Sequence, residues 1–182
     1  MKIIEEPFRG VYLLEPQVFE DRRGFFYEYY NREKFRAATG LDVDFVQDNL
    51  AGSTYGVFRG MHFQREPYAQ AKLVGCVEGE ILDIIVDIRP ESPDFGRWYG
   101  VRLSAANRRQ LFIPKGFAHG YLALSPQVKV FYKTDCFYRP EYDAGFRWDD
   151  PSVGIELPLP SGELILSDKD LHLPPLRQAL KG

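Results

Sequence analysis

Glycine or proline interrupts this sequence roughly every ten residues, at Pro7, Gly24, Gly40, Gly56, Gly75, Gly79, Pro90, Gly96, Gly116, Pro126 and Pro140. Runs rich in β-branched and aromatic residues fill the intervals. Segments this short do not accommodate the long helices of a bundle or the strand–helix alternation of a parallel sheet, so the rhythm is that of an antiparallel sandwich or barrel. The clearest strands are 12–14, 24–30, 57–63, 72–77, 79–88, 98–103, 109–113, 120–123 and 128–137. One segment, 31–38 (NREKFRAA), reads as a helix with Asn31 as its N-cap, and 167–171 as a short helical turn. The expectation is an all-β fold with a few short helices.

With 182 residues the chain suits one domain over 1–182, large enough to bury a core without disulfide or metal staples. The formal net charge of -3 provides no basic field for nucleic acid or an anionic membrane, so neither is expected as a partner. Cys76 and Cys136 lie in apolar, strand-like runs and read as reduced thiols. No apolar stretch follows Lys2 and no long uncharged apolar run occurs, which together with the thiols points to the cytoplasm. Aromatic residues make up 15%, more than a core alone requires, and suit flat ligands that stack.

Period-two alternation assigns faces. In VEGEILDIIVDIR, Leu82, Ile84, Val86 and Ile88 share one face, read as core, while Asp83 and Asp87 share the other with Ile81 and Ile85. Likewise Val128, Val130, Tyr132, Thr134 and Cys136 point one way, so Tyr132 points where the apolar residues point. Its hydroxyl then needs either a buried backbone partner or a substrate.

His62 and His119 fall in strand-like segments edged by glycine, GVFRGMHFQ and IPKGFAHGY. In a β-barrel both can line one cavity, with the glycines letting a ligand approach the backbone. Either one alone reads first as a structural histidine; the pairing is what points to a site. A metal centre ordinarily gathers three or four His, Asp, Glu or Cys ligands, often two from a His-x-His step. Gln64 stands where the second His of that step belongs, so although Glu66 and His119 remain, no metal is expected. The chain has no GxGxxG, no Walker-type loop and no G-x-S-x-G elbow, which removes support for hydride transfer, phosphoryl transfer and elbow-type hydrolysis. Proton transfer remains, with His62 as base, Tyr132 as acid, Lys72 as a cation for an oxyanion and Asp170 as an orienting carboxylate. Taken singly, Lys72 and Asp170 read as solvated surface charges.

Six blocks, FEDRRGFFYE, FVQDN, GVFRGMHFQ, AQAKLVGCVEGEILDIIVDIR, FIPKGFAHGYLAL and LSDKD, occur in order over nearly the whole chain. The ordered set resembles the dTDP-4-dehydrorhamnose 3,5-epimerase family, a cupin-like jelly roll. The block with Pro114, Gly116 and His119 is by itself shared across cupins. The resemblance implies a cofactor-free homodimer that inverts C5 and C3 of dTDP-4-keto-6-deoxy-glucose on the way to dTDP-L-rhamnose. It makes His62 the base, Asp170 its dyad partner, Lys72 the cation near the C4 oxygen and Tyr132 the acid on the opposite face. It gives Arg23, Glu28, Gln47, Asn49, Arg59, His119 and Lys169 to the diphosphate, sugar and thymidine, Tyr138 to stacking on the base, and Arg23 and Glu28 to the neighbouring subunit's site. Asp143, in PEYDAG, is also a ligand position and stands where the family commonly has Glu; Met61 stands where Leu is commoner, a nearly volume-conserving change. Strict alternation sets Arg59 and His62 on opposite faces unless Gly60 makes a bulge.

Three other readings remain. Relatives that epimerise only C3 or only C5 would keep the same His, Tyr, Lys and Asp set. A non-catalytic sugar-binding cupin could use Tyr138, Arg23 and Arg59 equally well but has no use for an acid and a base on opposite faces. A metal-dependent cupin oxygenase is disfavoured by Gln64.

Overall fold

In the computed structural model, which describes residues 1–181, the glycine and proline breaks become the turns of an antiparallel architecture. The strands are β1 (Lys2–Glu5), β2 (Tyr12–Glu15), β3 (Val18–Asp21), β4 (Gly24–Tyr27), β5 (Gln47–Ser53), β6 (Phe58–Gln64) and β7 (Lys72–Glu78). They continue as β8 (Glu80–Asp87), β9 (Trp98–Ser104), β10 (Gln110–Ile113), β11 (Phe117–Ala123), β12 (Val128–Thr134) and β13 (Asp143–Gly145). A six-stranded sheet has the order β1-β2-β10-β7-β12-β5, a five-stranded sheet the order β13-β6-β11-β8-β9, and β3 and β4 form a separate hairpin. Chain-distant strands thus become neighbours, as where β10 inserts between β2 and β7. This is the all-β, cupin-like jelly roll.

Three apolar layers explain the strand pattern. Between the sheets lie Val74, Cys76, Ile81, Ile85, Leu111 and Val130, all nearly or fully buried. Each such aliphatic side chain contributes roughly 1.5–3 kcal/mol. The outer face of the five-stranded sheet, with Met61, Ile84, Val86 and Leu122, is covered by Phe146, Ile155 and Leu176 from the C-terminal part of the chain. The outer face of the six-stranded sheet is covered by α1 (Arg32–Thr39), whose Phe35 packs on Leu14, Leu73 and Phe112. The mixed face of β8 is therefore core too, and the expectation of one core face is corrected. Ile81 and Ile85 lie between the sheets, and Asp83 and Asp87 are both 0% exposed. They tolerate this because His119 binds Asp83 and because Arg89 and Ser92 bind Asp87.

Most expected strands form, with shifted ends. The strand expected over 24–30 stops at Tyr27, the one over 128–137 stops at Thr134, and the one over 120–123 begins earlier, at Phe117. α1 starts one residue later than read, with the Asn31 side chain accepting a hydrogen bond from the Lys34 N–H as its cap, and Gly40 closes it at φ 74°. The turn at 167–171 is α2 (Asp168–Leu171); a further short helix, α3 (Leu176–Ala179), follows. β1, β3, β5 and β13 had no recognisable apolar signature. β5 (QDNLAGS) sits at the sheet edge with alternately half-buried and exposed residues, so few of its side chains need be apolar.

Candidate active site

A bulge in β6 shapes the centre. Opposite β11, His62 pairs with His119 and Arg59 with Tyr121, so three steps along β6 match two along β11. The extra residue lies at Gly60–Met61, and it turns Arg59 and His62 to the same side. Gly60 is required there: its φ is 146°, and a Cβ would stand 2.6 Å from the Gly120 Cα. The conflict left by strict alternation is thereby resolved.

His62 Nε2 lies 2.6 Å from Asp170 Oδ1. The histidine side chain is 31% exposed and the aspartate side chain 3%, so a dry carboxylate stands behind an imidazole that reaches the cavity. Asp170 is placed by α2, whose cap Ser167 accepts a hydrogen bond from the Asp170 N–H. Burial acts to raise the Asp170 carboxyl, but the His62 hydrogen bond and the neighbouring donors outweigh it and hold it below the usual carboxylate range. With ionised Asp170 accepting from Nε2–H, the lone pair belongs to Nδ1, which has no hydrogen-bond partner among the described residues. Gly145 pairs with His62 across β13 and β6, and a Cβ there would stand 3.2 Å from the imidazole Cδ2.

Lys72 and Tyr132 face this dyad from the other sheet, on the adjacent strands β7 and β12. Two cavities, of about 410 and 550 Å³, share His62, Lys72, Tyr132 and Lys169 and form two lobes around these side chains. Burial pushes the Lys72 amine down to about 8, with Asp83 and Asp143 pulling the other way. Burial raises the Tyr132 phenol, aided by Tyr121 and opposed by Arg59, so the hydroxyl keeps its proton. No protein group among the described residues hydrogen-bonds that hydroxyl. The backbone-partner reading of Tyr132 is thus not realised, and neither Lys72 nor Asp170 is the solvated surface charge that its residue type suggests.

The smaller lobe is rimmed by Gln47, Asn49, Tyr138, Asp143 and Lys169. Gln47 donates to Asn49 at 2.8 Å and accepts from the Tyr138 N–H at 3.0 Å. Asp143 binds both the Tyr138 hydroxyl, at 3.1 Å, and the Lys169 ammonium. The larger lobe holds Arg59 and His119. Arg59 is exposed and donates to Ser53 Oγ and the Gly52 carbonyl, each at 3.1 Å. His119 is held by Asp83 at 2.8 Å.

Arg23 and Glu28 are not brought to this cleft. Arg23 sits at the tip of the β3–β4 hairpin, bound to Asp21, and Glu28 binds Asn31 and Lys34 beside α1. Gln64 does not face the chemistry as a ligand, because it holds the Tyr68 and Phe137 carbonyls and the Arg139 N–H. Among the described residues no group of three or more His, Cys, Asp or Glu is arranged to hold a metal. Sequence reading missed Asp83, Ser53 and Tyr121, whose hydroxyl lies 3.0 Å from Ser53 Oγ. For Asp83 the signal was present: an acid repeated on an otherwise apolar face needs a buried partner.

Comparison with known proteins identifies relatives over nearly the whole chain. The family model described as dTDP-4-dehydrorhamnose 3,5-epimerase matches residues 5–178. The Escherichia coli K12 protein named dTDP-4-dehydrorhamnose 3,5-epimerase is 52% identical over 95% of this chain and 93% of its own length. The Bacillus anthracis epimerase crystallised with TDP and PPi has a TM-score of 0.92 at 47% identity, covering 96% of this chain and 98% of that one. The Legionella pneumophila epimerase crystallised with dTDP-4-keto-L-rhamnose has a TM-score of 0.92 at 41% identity, covering 97% and 93%. The chain belongs to the dTDP-4-dehydrorhamnose 3,5-epimerase family of isomerases.

Proposed function

We propose that this chain inverts C5 and C3 of dTDP-4-keto-6-deoxy-glucose by proton transfer across the cleft. The observation that carries the reading is that the His62–Asp170 dyad and the Tyr132 hydroxyl face one cavity from opposite sheets, with Lys72 lining it from the Tyr132 side. A proton on a carbon beside a ketone is acidic because its loss delocalises the electron pair onto the ketone oxygen. His62 takes that proton, and the C4 oxygen becomes the enolate oxygen beside the Lys72 ammonium, where a fixed positive charge in a site sheltered from water is most effective. Tyr132 delivers a proton to the other face of the carbon, which inverts it. Tyr132 then regains a proton, and His62 loses one, through solvent. The same steps at the second carbon complete the reaction without a cofactor.

The rest of the cleft fits the nucleotide. Tyr138, half exposed at the rim, stacks on the thymine base, with Gln47 and Asn49 supplying amide groups beside it. Arg59, His119 and Lys169 bind the diphosphate and sugar, the arginine with a forked donor suited to phosphate oxygens. Asp143 steers Lys169 and Tyr138. The second subunit of a homodimer brings its Arg23 and Glu28 to complete the site. The hairpin bearing Arg23 supports this, because Phe19, Phe25 and Phe26 stand 51%, 59% and 64% exposed on it and call for cover. Both cysteines are free, which suits a reducing cytoplasm, and no helix among the described residues is long and apolar enough to cross a membrane.

Proton NMR of the substrate with the enzyme in deuterium oxide tests the reading. Deuterium entering both C3 and C5, with the rhamnose product formed once a reductase is supplied, is the expected result. Exchange at one carbon would reassign the chain as a mono-epimerase, and no exchange would leave a nucleotide-sugar binder.

A further inference from the structure

Ser53 and Tyr121 have no task in the proton-transfer scheme or among the nucleotide contacts, yet both are bonded into the surroundings of Arg59. Arg59 on β6 and Tyr121 on β11 are register partners in the five-stranded sheet. Ser53 ends β5, the edge strand of the six-stranded sheet. Its Oγ lies 3.0 Å from the Tyr121 hydroxyl and accepts the Arg59 Nε–H at 3.1 Å, so one serine hydroxyl joins the two sheets beside the larger lobe. The Gly52 carbonyl accepts from Arg59 Nη2, also at 3.1 Å. Tyr121 is 4% exposed and lines the lobe, whereas Ser53 does not line it and acts from behind.

A guanidinium donates from two edges, and the partners of Arg59 occupy only one of them. Nε and Nη2 form the side edge, which β5 holds through Ser53 and Gly52. The end edge, Nη1 with the second N–H of Nη2, meets no acceptor among the described residues. That edge can grip two oxygens of an anion in a fork. Arg59 pairs with no carboxylate among the described residues, and the one acid lining the larger lobe, Asp170, is bound to His62. The positive charge is therefore left for a ligand.

We propose that Ser53 and Tyr121 are positioning residues for the diphosphate. Tyr121 fixes the Ser53 hydroxyl, Ser53 with Gly52 fixes the side edge of Arg59, and the end edge is presented to the phosphate oxygens before the ligand arrives. A free arginine side chain loses rotamer freedom on binding, and prior anchoring removes part of that loss. The inference deepens the proposed function and rests on its assignment of Arg59 to the diphosphate.

The test is an NMR chemical-shift titration with dTDP, and with thymidine, which lacks the phosphates, of the wild-type protein, Ser53→Ala, Tyr121→Phe and Arg59→Ala. Ser53→Ala is expected to weaken dTDP binding about tenfold and Tyr121→Phe about threefold, with thymidine binding unchanged. Ser53→Thr, which keeps the hydroxyl, is expected to bind dTDP as the wild type does. In the Arg59→Ala background Ser53→Ala is expected to add nothing, because its effect passes through the guanidinium. Full dTDP affinity in Ser53→Ala, with Arg59→Ala weakened, overturns the positioning role and leaves Arg59 on the diphosphate. An undiminished effect of Ser53→Ala in the Arg59→Ala background also overturns it. So does loss of thymidine binding in both Ser53→Ala and Tyr121→Phe, which would assign the pair to joining the sheets. Arg59→Ala binding dTDP as tightly as wild type would instead remove Arg59 from the diphosphate, and this proposal with it.

Discussion

At the scale of single residues, the proposed chemistry depends on groups whose charge is set by where they are buried. Lys72 is held down to about 8 by burial, so its protonated form, and with it enolate stabilisation, is present below that value and is lost as pH rises through it. The kcat profile is therefore expected to fall on the alkaline side near pH 8, and Lys72→Met is expected to lose this limb together with about 10²–10³-fold in kcat. Asp170→Asn keeps the shape of the dyad but removes the charge that fixes the His62 tautomer. Steady-state kinetics should show a fall in kcat on the order of 10²–10⁴, with KM for the nucleotide sugar changing far less. An Asp170→Asn enzyme with wild-type kcat would remove the dyad from the mechanism. Residue type alone did not give these roles. His62 and Asp170 are 108 positions apart, and nothing in the local sequence of LSDKD announces a partner in β6. Only the resemblance of ordered blocks joined them. Asp83 announced only that an acid on an apolar face needs a buried partner, and not which one, because His119 comes from another strand.

Among the elements, the bulge in β6 and the single turn of α2 do the positioning. Gly60→Ala would place a methyl group 2.6 Å from the Gly120 Cα at a backbone conformation that L-residues avoid. Strain of roughly 1–3 kcal/mol follows, read as a lower midpoint in thermal or urea unfolding, and Arg59 and His62 would no longer share a side. Ser167→Ala removes the cap of α2, a loss of about 1 kcal/mol in stability. Its kinetic effect is expected in kcat, because the loosened turn carries Asp170. The breaker rhythm made the apolar strands legible, since β7, β8 and β12 must fill the space between sheets and so carry period-two runs. β3 and β5 were not legible, because their residues lie largely at the surface or against the cleft. The strand ends were misplaced for a related reason: the aromatic run at 24–30 continues past Tyr27, but Tyr29 leaves the hairpin to pack on Phe131 and donate to its carbonyl.

For the whole molecule, two sheets facing one another supply what the proposed inversion requires, a base on one wall and an acid on the other. The exposed Phe19, Phe25 and Phe26 of the hairpin extend the same logic to a second subunit. If the protein is the proposed homodimer, replacing Phe25 and Phe26 together by Asp is expected to shift it from dimer to monomer in sedimentation velocity and to raise KM, since the partner's arm would be withdrawn from each site. A variant that stays dimeric would place the interface elsewhere. The most direct test of the two-wall scheme is Tyr132→Phe, assayed in deuterium oxide for solvent exchange and for epimerised product together. The account predicts that exchange outlasts product formation, because His62 can still remove and return a proton on its own face while inversion has lost its donor. Equal loss of exchange and product would contradict it.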